Sequence, residues 1–269
     1  IASQRSAEEI KAKLPSMHHQ FMELAGVDIT KEPMEVGPTA HYVMGGVKVD
    51  AESQETTVPR LYAAGEVASG LHGANRLGGN SLSDLIVFGK RAGEHAANAA
   101  SEIEQPSLDE KQVKEACDAI LEPLSREGGE NPGIIYEDLR EMMQQKVGII
   151  RNGSNLEEAL SELETYAERS EKAVPGATKL YNSGWHQALD LKNMVDVSKA
   201  CALAALKRTE SRGGHTRDDF PTPDTGKWSH TTLVIWMENG EVKIREEDIE
   251  QPPAELEKLL DRSKKEEEE

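Results

Sequence analysis

Residues 61–89, from Leu61 to Gly89, read LYAAGEVASGLHGANRLGGNSLSDLIVFG. Leu61-Tyr62-Ala63-Ala64-Gly65 predicts a short buried strand whose last residues carry almost no side chain, as a backbone needs where a flat ligand or another backbone approaches. Glu66 at its end reads as a buried acid suited to accept hydrogen bonds from sugar or polyol hydroxyls, with a plain surface acid as the alternative. His72 to Asn80 then form a loop whose glycines permit backbone angles closed to other residues and bring Arg76 close to whatever it serves. An arginine so placed offers a planar fork to a carboxylate. Ser81 is expected to be the N-cap of a helix, with Asp84 imitating a capping box and Leu82, Leu85, Ile86 and Phe88 forming the apolar side. The free amides and positive dipole end of that helix would face the glycine loop and favour an anion or an electron-rich ring.

Four motifs belong together, two of them inside this stretch and two outside it. Thr39-Ala40-His41-Tyr42-Val43-Met44-Gly45-Gly46 precedes it, Leu61 to Glu66 and His72 to Leu82 lie within it, and Ser211-Arg212-Gly213-Gly214-His215-Thr216-Arg217-Asp218-Asp219-Phe220-Pro221 comes near the far end. In this order, across most of the chain, they resemble the flavoprotein subunit of succinate dehydrogenase and fumarate reductase. The resemblance implies FAD as cofactor and interconversion of succinate and fumarate by hydride transfer at the flavin. It also implies electron exchange with an iron-sulfur subunit, membrane-anchor subunits, and a peripheral place at the cytoplasmic face of the cell membrane. Read alone, His41 is a histidine packed at a strand edge; carried over from the family, His41 and Arg76 would bind a C4 dicarboxylate. Glu66, Ser81 and Leu82 would contact the flavin. Ser83 stands where the family usually has leucine, which would loosen packing beneath the helix.

No catalytic residue is assigned in this segment. The family's GxGxxG fingerprint, its covalent flavin histidine where there is one, and its proton-shuttle arginine all lie upstream of the matched region, and no GxGxxG occurs here. Ile1 is not a start methionine, so the chain is expected to be an excerpt, a processed product or a partial gene, and inactive alone. L-Aspartate oxidase shares the ancestry but matches the arginine motif less well. A non-catalytic remnant that only binds partners or dicarboxylates is the reading from another class.

At 269 residues the chain has room for one large or two medium domains. A net charge of -18 argues against nucleic acid and against docking on an anionic bilayer. With 37% hydrophobic and 4% aromatic residues the core is lean. No run approaches the roughly 18 apolar residues of a membrane span, and no signal peptide opens the chain. Cys117 and Cys201 read as buried free thiols, and no metal site is expected.

The predicted fold class is α+β: the C-terminal part of an FAD-binding α/β domain, then a helical bundle domain and a small C-terminal β-hairpin region. Residues 1–27 are expected to end a capping domain, with a helix over 7–21 broken at Pro15, and 28–100 to return to the FAD-binding domain. A strand over 43–49 is interrupted by Gly45-Gly46. His18-His19 point in different directions on a helix and read as solvated or packed. After the polar stretch 101–109, residues 107–210 form the helical domain, with helices over 111–124, 135–147, 155–170 and 185–207; Leu156, Leu160, Leu163 and Tyr166 show its period. Residues 211–262 form the C-terminal region, where Asn239-Gly240 signals a hairpin; 263–269 is expected to be a charged, disordered tail. Arg212, His215 and Arg217 could bind an anion, but a structural lock between helical and flavin domains is the better reading.

Overall fold

The structure, a computed structural model, describes residues 5–35, 37, 39–250, 253 and 256. The predicted tail at 263–269 lies outside the described residues, as does Pro38 at the end of the connection. The chain divides into two compact units, Ile1–Thr39 and Ala40–Glu269.

In the first unit, α1 (Ala7–Lys13) and α2 (Pro15–Ala25) meet at Leu14. Pro15 opens the second helix, where its missing N–H costs nothing. Gly26, left-handed at φ 69°, ends it. Of the expected stripe Ile10, Leu14 and Phe21, only Ile10 is buried; Leu14 is exposed.

The second unit carries α3 (Asn80–Ser101), α4 (Glu110–Leu121), α5 (Pro132–Lys146), α6 (Gly153–Glu171) and α7 (Ser183–Lys207). Asn131, Asn152 and Asn182 cap α5, α6 and α7, each side-chain oxygen accepting a first-turn N–H. The core is where these three helices meet: Ile135, Leu139 and Met142 from α5, Leu156, Leu163 and Tyr166 from α6, Leu191 and Val195 from α7. Ala159, Ala188 and Ala202 lie buried among them, so the bundle packs without large side chains at every contact. The helical bundle therefore forms as its three-and-four spacing predicts.

Two short strands tie the bundle to the C-terminal region. β1 (Ile150–Arg151) pairs in parallel with β2 (Thr216–Arg217), Ile150 opposite Thr216. Arg217 is buried: its guanidinium makes two 2.7 Å bonds to Asp219 and donates to the carbonyls of Ala205 and Leu206 at the end of α7. Burial works against ionisation of Glu210, yet Arg212, the Asp224 amide and Arg208 outweigh it and hold the carboxyl below its usual range. Arg151 donates to His215 Nδ1 at 2.9 Å, so Nε2 carries the proton shared with the Arg208 carbonyl. Gly214 N–H donates to Ala74 O at 2.9 Å, and a Cβ on Gly213 would meet that oxygen at 2.3 Å. The loop thus locks the bundle to the arginine loop, and no side chain larger than hydrogen fits the contact.

β3 (Thr231–Glu238) and β4 (Glu241–Asp248) form the expected antiparallel hairpin. Asn239 and Gly240 both have positive φ, 52° and 82°, as a primed two-residue turn requires. Lys48 reaches Glu247 on β4 at 2.6 Å.

Some local expectations fail. Residues 61–65 and 43–49 are not sustained strands; single bridges link Val47 to Ala68, Val49 to Thr56 and Glu55 to Tyr62. A strand persists only where its ladder continues, and positive φ at Gln54 and Arg60 turns the chain away between bridges. Leu61 is exposed rather than buried. Both cysteines are also exposed: Cys117 lies on α4, which buries no residue, and Cys201 lies outside the face of α7 that joins the core.

Candidate functional site

The site gathers where residues 40–47, 65–69 and 72–84 meet. Val47 N–H donates to Val67 O at 2.7 Å, and Ser69 N–H to Val47 O at 2.9 Å. A Cβ on Gly46 would meet Val67 O at 2.3 Å, so only glycine allows the two segments to lie this close. Glu66 is exposed, not buried as its sequence suggested, because the strand meant to enclose it does not form; its carboxylate accepts from Val43 N–H at 3.0 Å. That bond ties the Glu66 turn to the segment carrying His41.

Arg76 lies half-buried with its guanidinium 4.8 Å from the centre of the Tyr42 ring. Cation and ring face attract, which fixes the side chain without using its donors. One terminal nitrogen donates to Leu77 O at 3.3 Å; Nε is buried and has no hydrogen-bond partner. A buried guanidinium N–H without an acceptor is costly unless a ligand supplies one. His41 is exposed and adjoins Tyr42 in the chain.

Beneath them Asp84 is buried, not the capping-box acid expected. Its Oδ2 accepts from Tyr42 Oη and from His72 Nε2, both at 3.2 Å. Since a carboxylate only accepts, His72 carries its proton on Nε2. Burial, followed by the bond to Asp84, pushes the Tyr42 phenol above its ordinary pKa. Tyr42 and His72 meet edge to face, centroids 5.4 Å apart. Sequence reasoning passed over all three as site residues. The available signal was a lone acid inside the apolar run Leu82 to Phe88, which calls for an internal partner.

Ser81 is not the N-cap. Gly79 takes that place with φ 84°, and no side chain caps α3; Asn80 N–H donates back to Leu77 O at 3.2 Å, and the amides that follow it have no side-chain cap. The left-handed glycine lets the chain enter the helix earlier than a cap at Ser81 would. Ser81 is half-buried and Leu82 is 70% exposed beside those amides. Gly78 and Gly79 have open space where a Cβ would project. Open amides, an apolar side chain and free space suit a flat, electron-rich ring, so the residues present fit a flavin.

These features define a class, a flavin-binding fold joined to a helical domain. Residues 1–82 match the family model for an FAD binding domain, and residues 136–260 match the fumarate reductase flavoprotein C-terminal model. A fumarate reductase (CoM/CoB) subunit from Methanothermobacter marburgensis is 44% identical over 227 residues, 84% of this chain and 41% of that protein. The succinate dehydrogenase flavoprotein subunit of Coxiella burnetii is 34% identical over 88% of this chain and 42% of its own length. Among solved structures, Mycobacterium smegmatis Sdh1 in complex with UQ1 superposes with a TM-score of 0.81 at 46% identity, covering 94% of this chain and 43% of that one. E. coli quinol fumarate reductase gives 0.81 at 30% identity, covering 93% and 44%. The chain belongs to the family of succinate dehydrogenase and fumarate reductase flavoprotein subunits, and its cofactor is FAD. It spans about two fifths of the length of the curated relatives it matches.

Proposed function

We propose that this chain supplies the dicarboxylate-binding part of an FAD-dependent oxidoreductase that interconverts succinate and fumarate. The observation that carries the reading is Arg76: stacked on Tyr42, its Nε buried without an acceptor, on the loop that leads into the uncapped start of α3. A carboxylate would pair with the terminal nitrogens, whose one bond is to Leu77 O, and the second donor on the neighbouring segment is His41. Two donors on a C4 dicarboxylate hold and polarise it while its central carbons react. Bound FAD supplies the hydride acceptor or donor. Ser81, Leu82 and the open amides of α3 would contact its ring, and Glu66, exposed at its turn, would accept from its hydroxyls. On this reading residues 1–27 belong to a capping domain, 28–100 to the flavin domain, 107–210 to the helical domain and 211–262 to a C-terminal region.

Likeness to the family supports a wider assembly in which electrons would pass to an iron-sulfur subunit, while anchor subunits would hold the complex at the cytoplasmic face of the membrane. Consistent with attachment through partners, no helix among the described residues is long and apolar enough to cross a membrane. The test is succinate–fumarate turnover of the full-length, FAD-loaded subunit with Arg76→Gln. Loss of turnover and of dicarboxylate binding with FAD retained is expected; wild-type behaviour would reject the assignment.

A further inference from the structure

We propose that Asp84 and His72 are positioning residues for Arg76, acting through Tyr42. The inference deepens the dicarboxylate reading above and rests on it. Asp84 Oδ2 accepts from both the Tyr42 hydroxyl and His72 Nε2, and its side chain is 4% exposed. His72, 10% exposed, also packs edge to face on the Tyr42 ring, so the phenol is held at its hydroxyl and along its rim. The face left over carries the Arg76 guanidinium at 4.8 Å.

The consequence is directional. Arg76 has a bond from one terminal nitrogen to Leu77 O and none from buried Nε. A flexible arginine with so few bonds would sample many rotamers, and ordering it on ligand binding would weaken affinity. A ring clamped from behind removes that freedom in advance while leaving the carboxylate-facing edge unspent. The acid is placed by α3, the tyrosine follows His41, and the histidine opens the arginine loop, so one carboxylate ties the start of the helix to the arginine loop and to the segment of His41.

The experiment uses malonate, a dicarboxylate that cannot be dehydrogenated across two central carbons, with the full-length subunit loaded with FAD. Binding is read from the perturbation of flavin absorbance, independent of turnover, beside KM, kcat and FAD content. Tyr42→Phe keeps the ring and loses the tether; Asp84→Ala removes the shared acceptor; Asp84→Asn keeps an oxygen that can accept from both donors. The malonate Kd and the succinate KM are expected to rise about 10-fold in Tyr42→Phe and Asp84→Ala, the size of a cation–π attraction moved off its best geometry. Their kcat should change less than KM, FAD content should stay as in wild type, and Asp84→Asn should restore binding to within about 2-fold. Unchanged malonate binding in Tyr42→Phe, or no rescue by Asp84→Asn, would overturn the proposal; if Asp84→Ala does not fold, Tyr42→Phe decides alone. Arg76→Gln separates the two readings. If it abolishes malonate binding while Tyr42→Phe and Asp84→Ala retain it, only the positioning role fails; if it binds like wild type, the dicarboxylate reading fails.

Discussion

Residues 132–207 and residues 40–101 are built on opposite plans. The first region closes on itself: Ile135, Leu156, Leu163 and Leu191 are wholly shielded, at 0% exposure. The second buries no large apolar side chain. Its buried positions are Gln54, Gly65 and Asp84, while Leu77, Leu82 and Ile86 are 70% exposed or more. One region is held by apolar area removed from water. The other is held by hydrogen bonds, close backbone approaches and a polar cluster, with its apolar side chains turned outward. A bundle stabilises itself; a cofactor site must keep its surface for what it binds.

That contrast is tested most strongly at the join. Arg217→Met should cost about 3–5 kcal/mol in urea unfolding, since it leaves two helix-end carbonyls without their buried donor and removes the partner of Asp219. A loss below about 1 kcal/mol would mean the lock is ornamental. In the bundle, Leu163→Ala should cost about 2–5 kcal/mol by cavity formation. In the site, Arg76→Lys in the full-length enzyme should lower kcat/KM about 100-fold, because an ammonium cannot reproduce the planar fork, with the melting temperature unchanged.

Acid should weaken the lock in two steps. Burial, then the nearby charges of Arg151, Arg217 and Arg208, holds the His215 imidazole below its usual 6.5, although the Arg208 carbonyl favours protonation. A group less willing to bind a proton when folded loses stability as pH falls through its unfolded value, so decline should begin near about pH 6.5. The Asp219 carboxyl is held down to about 2 by Arg217 and by the Gly153 amide. Its contribution is complete above the unfolded value of 3.8 and is lost on the way to 2. Unfolding monitored from pH 8 to pH 2 should show both steps, and His215→Gln should remove the first. The smallest effect is expected at Ile86→Ser, 73% exposed, within about 0.5 kcal/mol for this chain alone. A cost near that of Leu163→Ala would erase the distinction between the regions.

The bundle is legible in the amino-acid order alone, because its three-and-four spacing sets which faces of α5, α6 and α7 pair. So is the hairpin, since Asn239-Gly240 is among the few pairs that accept two positive φ values in succession. The motifs mark the segments of the site as well, and the glycine-bearing loop around Arg217 reads as a lock before its partners are known. How those segments are used emerges only on folding. There Glu66 is exposed, the cap of α3 falls to Gly79 rather than Ser81, and Asp84 lies beneath Tyr42 and His72. The difference is one of range. Helix faces and turns are settled within a few residues by backbone geometry, whereas a buried acid is settled by donors 42 and 12 residues away, which no local pattern contains.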